Sequence, residues 1–225
     1  PEGGMANLDM GWIHWQKIMM RLTKDPKLTI KLGREFGEKA HAVMGDGESL
    51  TLLAWFDLFE RDYESAIENA RRATEISPSD GAATALAGTI YWNAGKTEEA
   101  AILFKRAMRL QPYHPKWYAY LLGLSFMILE KYDEAEEIFE AVLQSDTLIV
   151  ADKQTPLAGL AAISFFRKDI ENAEKYASQL TELVVYGKKF SISTIAPQHA
   201  LMKDQEFSKR FIDALRQLGI PEKSE

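Results

Sequence analysis

The sequence predicts an all-α solenoid, a right-handed α–α superhelix of about five helix–turn–helix pairs with a C-terminal capping helix. The first observation is a period. Ala66 and Ala100 lie 34 residues apart, as do Pro78 and Pro112, and Ala100 and Ala135 lie 35 apart. The second observation is that apolar residues within each half-period recur at the spacing of an amphipathic helix. A period of this length, with small residues at fixed offsets, indicates helix pairs that stack upon their neighbours.

The clearest repeat lies at residues 81–115. Gly95 is predicted to end its first helix, because glycine adopts the left-handed conformation at low cost. Pro112 closes the second helix, because proline cannot donate the next backbone hydrogen bond. Gly88 and Ala100 are expected where the two helices approach most closely, since a larger side chain at either position would push the helices apart.

Equivalent segments predict five helix pairs, at 5–46, 47–80, 81–115, 116–150 and 151–186. Residues 1–4 are interpreted as a tag or cleavage remnant outside the fold. The first pair is the most divergent, and its helices are predicted at 8–22 and 28–44. The second of these contains Gly33 and Gly37, which we interpret as close-packing sites because glycine otherwise weakens a helix.

The segment 187–225 is predicted to cap the stack of repeats. Gly187 and the two lysines after it break the preceding helix, and Asp204 is positioned to cap a last amphipathic helix. One stripe of that helix is apolar: Phe207, Phe211, Leu215 and Leu218. A terminal helix with one polar face is what a stack of repeats needs to cover its last apolar surface.

Composition argues against several classes of function. The net charge is −6 and the isoelectric point is near 5.4, which disfavours the basic surface that nucleic-acid binding requires. The absence of cysteine excludes disulfides and thiolate metal sites. No run of 18 uncharged apolar residues predicts a membrane span, and no basic region followed by an apolar stretch indicates export. A cytoplasmic location is therefore expected.

The second to fourth repeats resemble tetratricopeptide repeats. The resemblance rests on the small, aromatic, alanine and proline positions Gly88, Tyr91, Ala100, Phe104, Ala107 and Pro112. Three further stretches, at 11–15, 107–118 and 210–222, are similar to the C-terminal tetratricopeptide region that follows class III adenylate/guanylate cyclase domains in bacteria. None of the cyclase's own catalytic or metal-binding sequence is recognisable. The resemblance implies a regulatory or scaffolding part of a bacterial signalling protein.

Residues that could carry catalysis are not arranged for it. The four histidines, His14, His41, His114 and His199, lack metal-ligand spacing. No nucleophile elbow, phosphate-binding loop or dinucleotide fingerprint occurs. The carboxylates of 134–140 fall at outward positions of a second helix and indicate a solvated face. We therefore expect no enzymatic activity, no cofactor and no metal.

The tetratricopeptide resemblance implies that the first helix of each pair lines a concave groove. The corresponding positions form the predicted partner-binding set: Trp55, Thr89, Trp92, Asn93, Trp117, Tyr120, Leu124, Met127 and Phe165. This set lacks the basic residues that a clamp for an acidic chaperone tail needs. We expect a protein or peptide partner whose apolar or amphipathic helix lies on the strip of Trp92, Tyr120 and Met127.

Three other interpretations of the strip stay open at this point. Neighbouring helices or the C-terminal segment would cover it if it belongs to the core. A second copy of the chain would cover it if the protein is a homodimer. The concave side would hold a small molecule if it forms a pocket with enough polar groups to orient a ligand.

Overall fold

The computed structural model describes residues 3–185 and 187–223, and their fold is an all-α helical repeat, as predicted. Five antiparallel helix pairs are followed by a short β-hairpin and two further helices. The pairs are α1 (Gly4–Met19) with α2 (Pro26–Met44), α3 (Gly47–Glu60) with α4 (Tyr63–Ile76), α5 (Gly81–Asn93) with α6 (Thr97–Leu110), α7 (Lys116–Ile128) with α8 (Tyr132–Leu143), and α9 (Gln154–Phe166) with α10 (Ile170–Glu182). The later elements are β1 (Val184–Val185), β2 (Lys188–Lys189), α11 (Ile192–His199) and α12 (Gln205–Gln217).

The chain divides into two compact units, Pro1–Gln111 and Pro112–Glu225. In the first unit, consecutive helices from α1 to α6 pack against each other, and α3 also packs against α5. In the second unit, α7 to α10 follow the same scheme, and α12 packs against α9 and α11. A 3₁₀ turn at Val150–Lys153 leads into α9.

Glycine–aromatic contacts hold the helices of the pairs close together. A Cβ atom added to Gly88 would lie 3.0 Å from Phe104 Cε1, so Gly88 lies where α5 and α6 approach closely, as predicted. A Cβ at Gly123 would lie 2.5 Å from Phe139 Cε1, and one at Gly159 would lie 2.3 Å from Phe139 Cε2. Gly123 of α7 and Gly159 of α9 therefore contact opposite edges of the Phe139 ring.

The turn inside each of four pairs uses the same backbone conformation. Arg61, Gly95, Glu130 and Lys168 all have positive φ, between 56° and 78°. Only glycine adopts this conformation without a steric cost, so three of the four turns carry a penalty of about 1 kcal/mol. The following residue differs as well: Asp62 and Asp169 cap the second helix, whereas Lys96 and Lys131 make no side-chain cap.

The first pair begins earlier than predicted. Helix α1 starts at Gly4, which is buried against Met44, and it ends at Met19 rather than at position 22. The expectation that residues 1–4 lie outside the fold is therefore wrong for Gly4, while Pro1 and Glu2 lie outside the described residues. Gly33 and Gly37 are close-packing sites as predicted, since added Cβ atoms would lie 2.2 Å from Phe56 and 3.0 Å from Leu53.

The C-terminal segment caps the last pair through α12. Asp204 accepts a hydrogen bond from the Glu206 amide at 2.8 Å, as predicted for a capping residue. The buried stripe consists of Phe207, Phe211 and Leu215, with Leu218 partly exposed. The predicted boundary at Tyr186, and the end of the segment at residues 224 and 225, lie outside the described residues. No described helix is both long enough and apolar enough to cross a bilayer.

Candidate interaction surfaces

Most of the predicted partner-binding set is buried. Trp92 and Met127 are fully inaccessible, and Trp55, Thr89, Asn93 and Leu124 each expose less than a tenth of their surface. A side chain without accessible area offers none to a partner. The prediction that these six residues line an open groove is therefore wrong, because in this structure they belong to the core.

Local contacts explain part of this burial. The ring of Trp15 in α1 lies edge-on to Trp55 at 5.4 Å, so α1 covers this part of α3. Within α3 itself, Phe59 lies 6.2 Å from Trp55. The polar residues of α5 bond within their own helix. Thr89 donates to the Ala85 carbonyl at 3.1 Å, and Asn93 Nδ2 donates to the Thr89 carbonyl at 2.8 Å.

Three predicted residues keep accessible surface, and all belong to the second unit. Trp117 lies in the first turn of α7, Tyr120 lies one turn later, and Phe165 lies in the last turn of α9. Among the described residues no ring contact joins these three, although Trp117 and Tyr120 are three residues apart and share one face of α7. Burial, and to a lesser extent the carboxylate of Asp152, raises the pKa of Tyr120 to about 12, so its hydroxyl stays neutral at physiological pH.

A groove in the first unit was not predicted. It has a volume of about 420 Å³, and we call it the Trp12 groove after the residue at its end. Its lining includes Trp12, Asp46, Glu48, Thr51, Asp80, Ala83 and Leu86. Trp12 Nε1 donates a hydrogen bond to Glu48 Oε1 at 3.2 Å, which joins α1 to the start of α3.

The Trp12 groove is bordered by two capped helix N-termini. Asp46 Oδ1 accepts from the Ser49 amide at 3.0 Å at the start of α3. Asp80 Oδ1 accepts from the Ala82 and Ala83 amides at the start of α5. A more open depression of about 460 Å³, which shares Trp12 with the groove, runs along α1 past Asp9 and Ile13.

A third cavity, of about 630 Å³, lies beside the β-hairpin of the second unit. Its lining includes Lys188, Lys189, Ser193 and Thr194. The lysines and hydroxyls are donors that suit an anionic group. From the sequence, Lys188 and Lys189 are predicted only to break the helix together with Gly187.

The buried carboxylate of Asp57 belongs to a network that joins helices. Asp57 in α3 is 3% exposed and accepts from Arg34 Nη2 at 2.7 Å and from Asn69 Nδ2 at 2.8 Å. It occupies the repeat position at which Tyr91 and Phe126 lie in the next two pairs. The network ties α2, α3 and α4 together, because a buried carboxylate needs such partners.

The histidines have packing partners. His14 stacks on Phe36 with ring centroids 5.7 Å apart, and His199 stacks on Phe211 at 5.2 Å. Burial lowers the pKa of His199 to about 4. Within residues 3–185 and 187–223, no three His, Asp or Glu side chains are grouped closely enough to hold a metal ion.

Comparison with a family model matches residues 60–142 to subunit 3 of the anaphase-promoting complex, or cyclosome. A comparison with curated protein sequences finds no significant match. Solved structures of similar fold include PilF of Pseudomonas aeruginosa, with 17% identity over 96% of this chain and 90% of that one, and a TM-score of 0.65.

Two further structures give the same result. PilW, a type IV pilus biogenesis factor, has 14% identity over 95% of this chain and 92% of that one, with a TM-score of 0.67. A tetratricopeptide repeat protein of Thermus thermophilus has 18% identity over 95% of this chain and all of that one, with a TM-score of 0.62. The chain therefore has a tetratricopeptide-type repeat fold.

Proposed function

We propose that this protein is a non-enzymatic interaction scaffold that binds an apolar or amphipathic segment of a protein partner. The observation that carries the proposal is the partial exposure of Trp117, Tyr120 and Phe165 on first helices of the repeat, where the neighbouring positions are buried. Tryptophan and tyrosine supply much of the binding energy at protein interfaces. Amphipathic helices bind grooves through such apolar anchors.

The arrangement of titratable groups supports a scaffold better than an enzyme. Asp57 is held by Arg34 and Asn69, and Arg167 pairs with Asp133 and Glu136. These groups join helices to each other. Groups that are paired in this way are not free to act on a substrate.

The biological context of the scaffold is a separate part of the proposal. The resemblance of residues 11–15, 107–118 and 210–222 to the region downstream of bacterial cyclases supports a regulatory part of a cytoplasmic signalling protein. The similarity of fold to a pilus biogenesis factor supports a role in assembly as the competing context. Capture of a cyclase or of pilus components by the intact protein would decide between them.

Alanine substitution tests the partner-binding residues. The double variant Trp117→Ala/Phe165→Ala should retain the helical circular dichroism of the wild type but capture its partner from source-cell extract at least several-fold less well, because it lacks two aromatic anchors. Tyr113→Ala is the matched control, since Tyr113 is 99% exposed but lies outside the first helices. Equal capture by the double variant and the wild type would contradict the proposal.

Two alternatives have support of their own. Met5, Ile13 and Met20 are exposed on α1 or directly after it, and they favour a homodimer formed through the first pair. The cavity beside Lys188 and Lys189 favours a small anionic ligand. Light scattering would reveal the dimer, and a thermal-shift screen in which a metabolite stabilises the protein would reveal the ligand.

A further inference from the structure

We infer that the Trp12 groove binds a positively charged amphipathic segment of a protein partner. The inference rests on the proposed function and names a second contact surface and the charge of its occupant. It concerns α1, α3 and α5, whereas the proposed aromatic anchors lie on α7 and α9.

The charged side chains along the groove and the adjoining α1 surface all have one sign. They are Asp9, Asp46, Glu48 and Asp80. The N-termini of α3 and α5 offset part of this charge, since each helix end carries about half a positive charge. Four carboxylates against two such ends leave the surface negative. An acidic segment is therefore repelled.

The carboxylates also have capacity for new partners. Asp46 and Asp80 cap their helices through Oδ1, and neither Oδ2 has a bond to another described residue. Glu48 uses Oε1 for Trp12 and is exposed, as is Asp9. A lysine or arginine of a partner can therefore bind without breaking a contact that stabilises the fold.

The groove also has apolar lining. Trp12, Ala83 and Leu86 are half-buried beside the buried Thr51, and Ile13 on the adjoining surface is 43% exposed. Lysine and arginine lay their methylene groups on apolar surface while their charged ends reach polar groups. The face of an indole ring also attracts a cation that comes within about 6 Å of its centre. Carboxylates and apolar surface together favour a basic amphipathic segment over a neutral apolar one.

The test is calorimetric titration of the full chain with two synthetic peptides at low ionic strength. One is an amphipathic leucine/lysine peptide, and the other has glutamine at every lysine position. Titrations are repeated with Asp9→Asn/Glu48→Gln, in which the amide oxygen of the introduced glutamine remains an acceptor for Trp12. The matched control is Glu137→Gln/Glu174→Gln, which makes the same change in net charge on exposed helix faces of the second unit.

The wild type should bind the lysine peptide more tightly than the glutamine peptide. The groove variant should lose about fivefold in affinity for the lysine peptide, as two partly screened charge pairs predict, while the control variant binds as the wild type does. Equal losses in both variants, or equal binding of the two peptides, would overturn the inference. A dimer of the wild type that the groove variant abolishes would also overturn it, because the occupant would be a second copy.

Failure here is distinguishable from failure of the proposed function. The Asp9 and Glu48 substitutions leave Trp117 and Phe165 intact, so partner capture that depends on those aromatic residues can persist without any preference for a cationic peptide. Loss of that dependence is the outcome that defeats the scaffold proposal itself.

Discussion

Gly159 is important for this fold because its position leaves no room for a side chain. The edge of the Phe139 ring lies where a Cβ would be, and Gly123 occupies the ring's other edge. Phe139 is fully buried, so the ring cannot swing into solvent. The contact therefore sets the distance between α9 and α8.

Gly159→Ala should lower the free energy of unfolding by about 1–3 kcal/mol, the range for overpacking a core. Alanine favours a helix by about 1 kcal/mol over glycine, so a measured loss would show that the steric term is larger than the helix propensity. Urea denaturation measures the difference. Gln179→Ala, at an exposed position of α10, is the control and should change stability little. An increase in stability at position 159 would show that the helices are not in close contact there.

His199 makes the stability of the C-terminal cap depend on pH. It is 4% exposed, its ring stacks on Phe207 and Phe211, and its Nδ1 is 3.1 Å from the Ser208 hydroxyl. Its folded pKa of about 4 lies below the unfolded value of 6.5. The unfolded chain therefore binds the proton first, and stability from this residue is complete above pH 6.5 and is lost as the pH falls towards 4.

The loss should amount to about 3 kcal/mol at the acid end of this window. Thermal unfolding of the wild type and of His199→Gln between pH 7 and pH 4 measures it, and the variant should show a shallower decline. The control is His114→Gln, outside the cap, which should decline as the wild type does. Parallel curves for the wild type and His199→Gln would contradict a buried neutral imidazole.

At the scale of the element, the second helices of the repeat pairs differ from each other in their N-terminal caps. Asp62 and Asp169 accept hydrogen bonds from the amides of Ser65 and Asn172. Lys96 stands at the same point before α6 and provides none. A lysine there also places positive charge at the positive end of a helix.

Lys96→Asp should therefore raise the free energy of unfolding by about 1 kcal/mol, the usual value of an N-cap. Lys96→Ala separates the two effects, because it removes the charge without adding an acceptor, and should give a smaller gain. Denaturant unfolding of the three proteins provides the measurement. No gain for Lys96→Asp over Lys96→Ala would show that α6 does not begin at Thr97.

Helices and their ends were predicted best where a local signal exists. Gly95 has φ 78° at the predicted turn, and Asp204 caps α12. The start of α1 was misplaced because Gly3 and Gly4 read as a flexible leader, whereas Gly4 is buried against Met44, a contact that is distant in sequence. Gly159 was missed for a similar reason, since its spacing from Gly123 is 36 residues.

At the scale of the whole molecule, the repeat period predicts the fold but not the binding surface. Positions that line a groove and positions that fill a core are both apolar in a first helix, as Trp92 and Trp117 illustrate. Whether such a residue is covered depends on neighbours outside its own repeat, and periodicity carries no information about them. The Trp12 groove escaped prediction because its acidic residues belong to two separate repeats: Glu48 in α3, and the N-caps Asp46 of α3 and Asp80 of α5.

Site-specific photocrosslinking tests the central claim, that partly exposed aromatic positions on first helices bind a partner. A photoreactive phenylalanine analogue would be placed at Trp117, at Phe165 or, as a control, at Glu174 on the exposed face of α10. The two first-helix positions should crosslink the same partner, and position 174 should not. Equal crosslinking at all three positions, or crosslinking at position 174 alone, would contradict the claim.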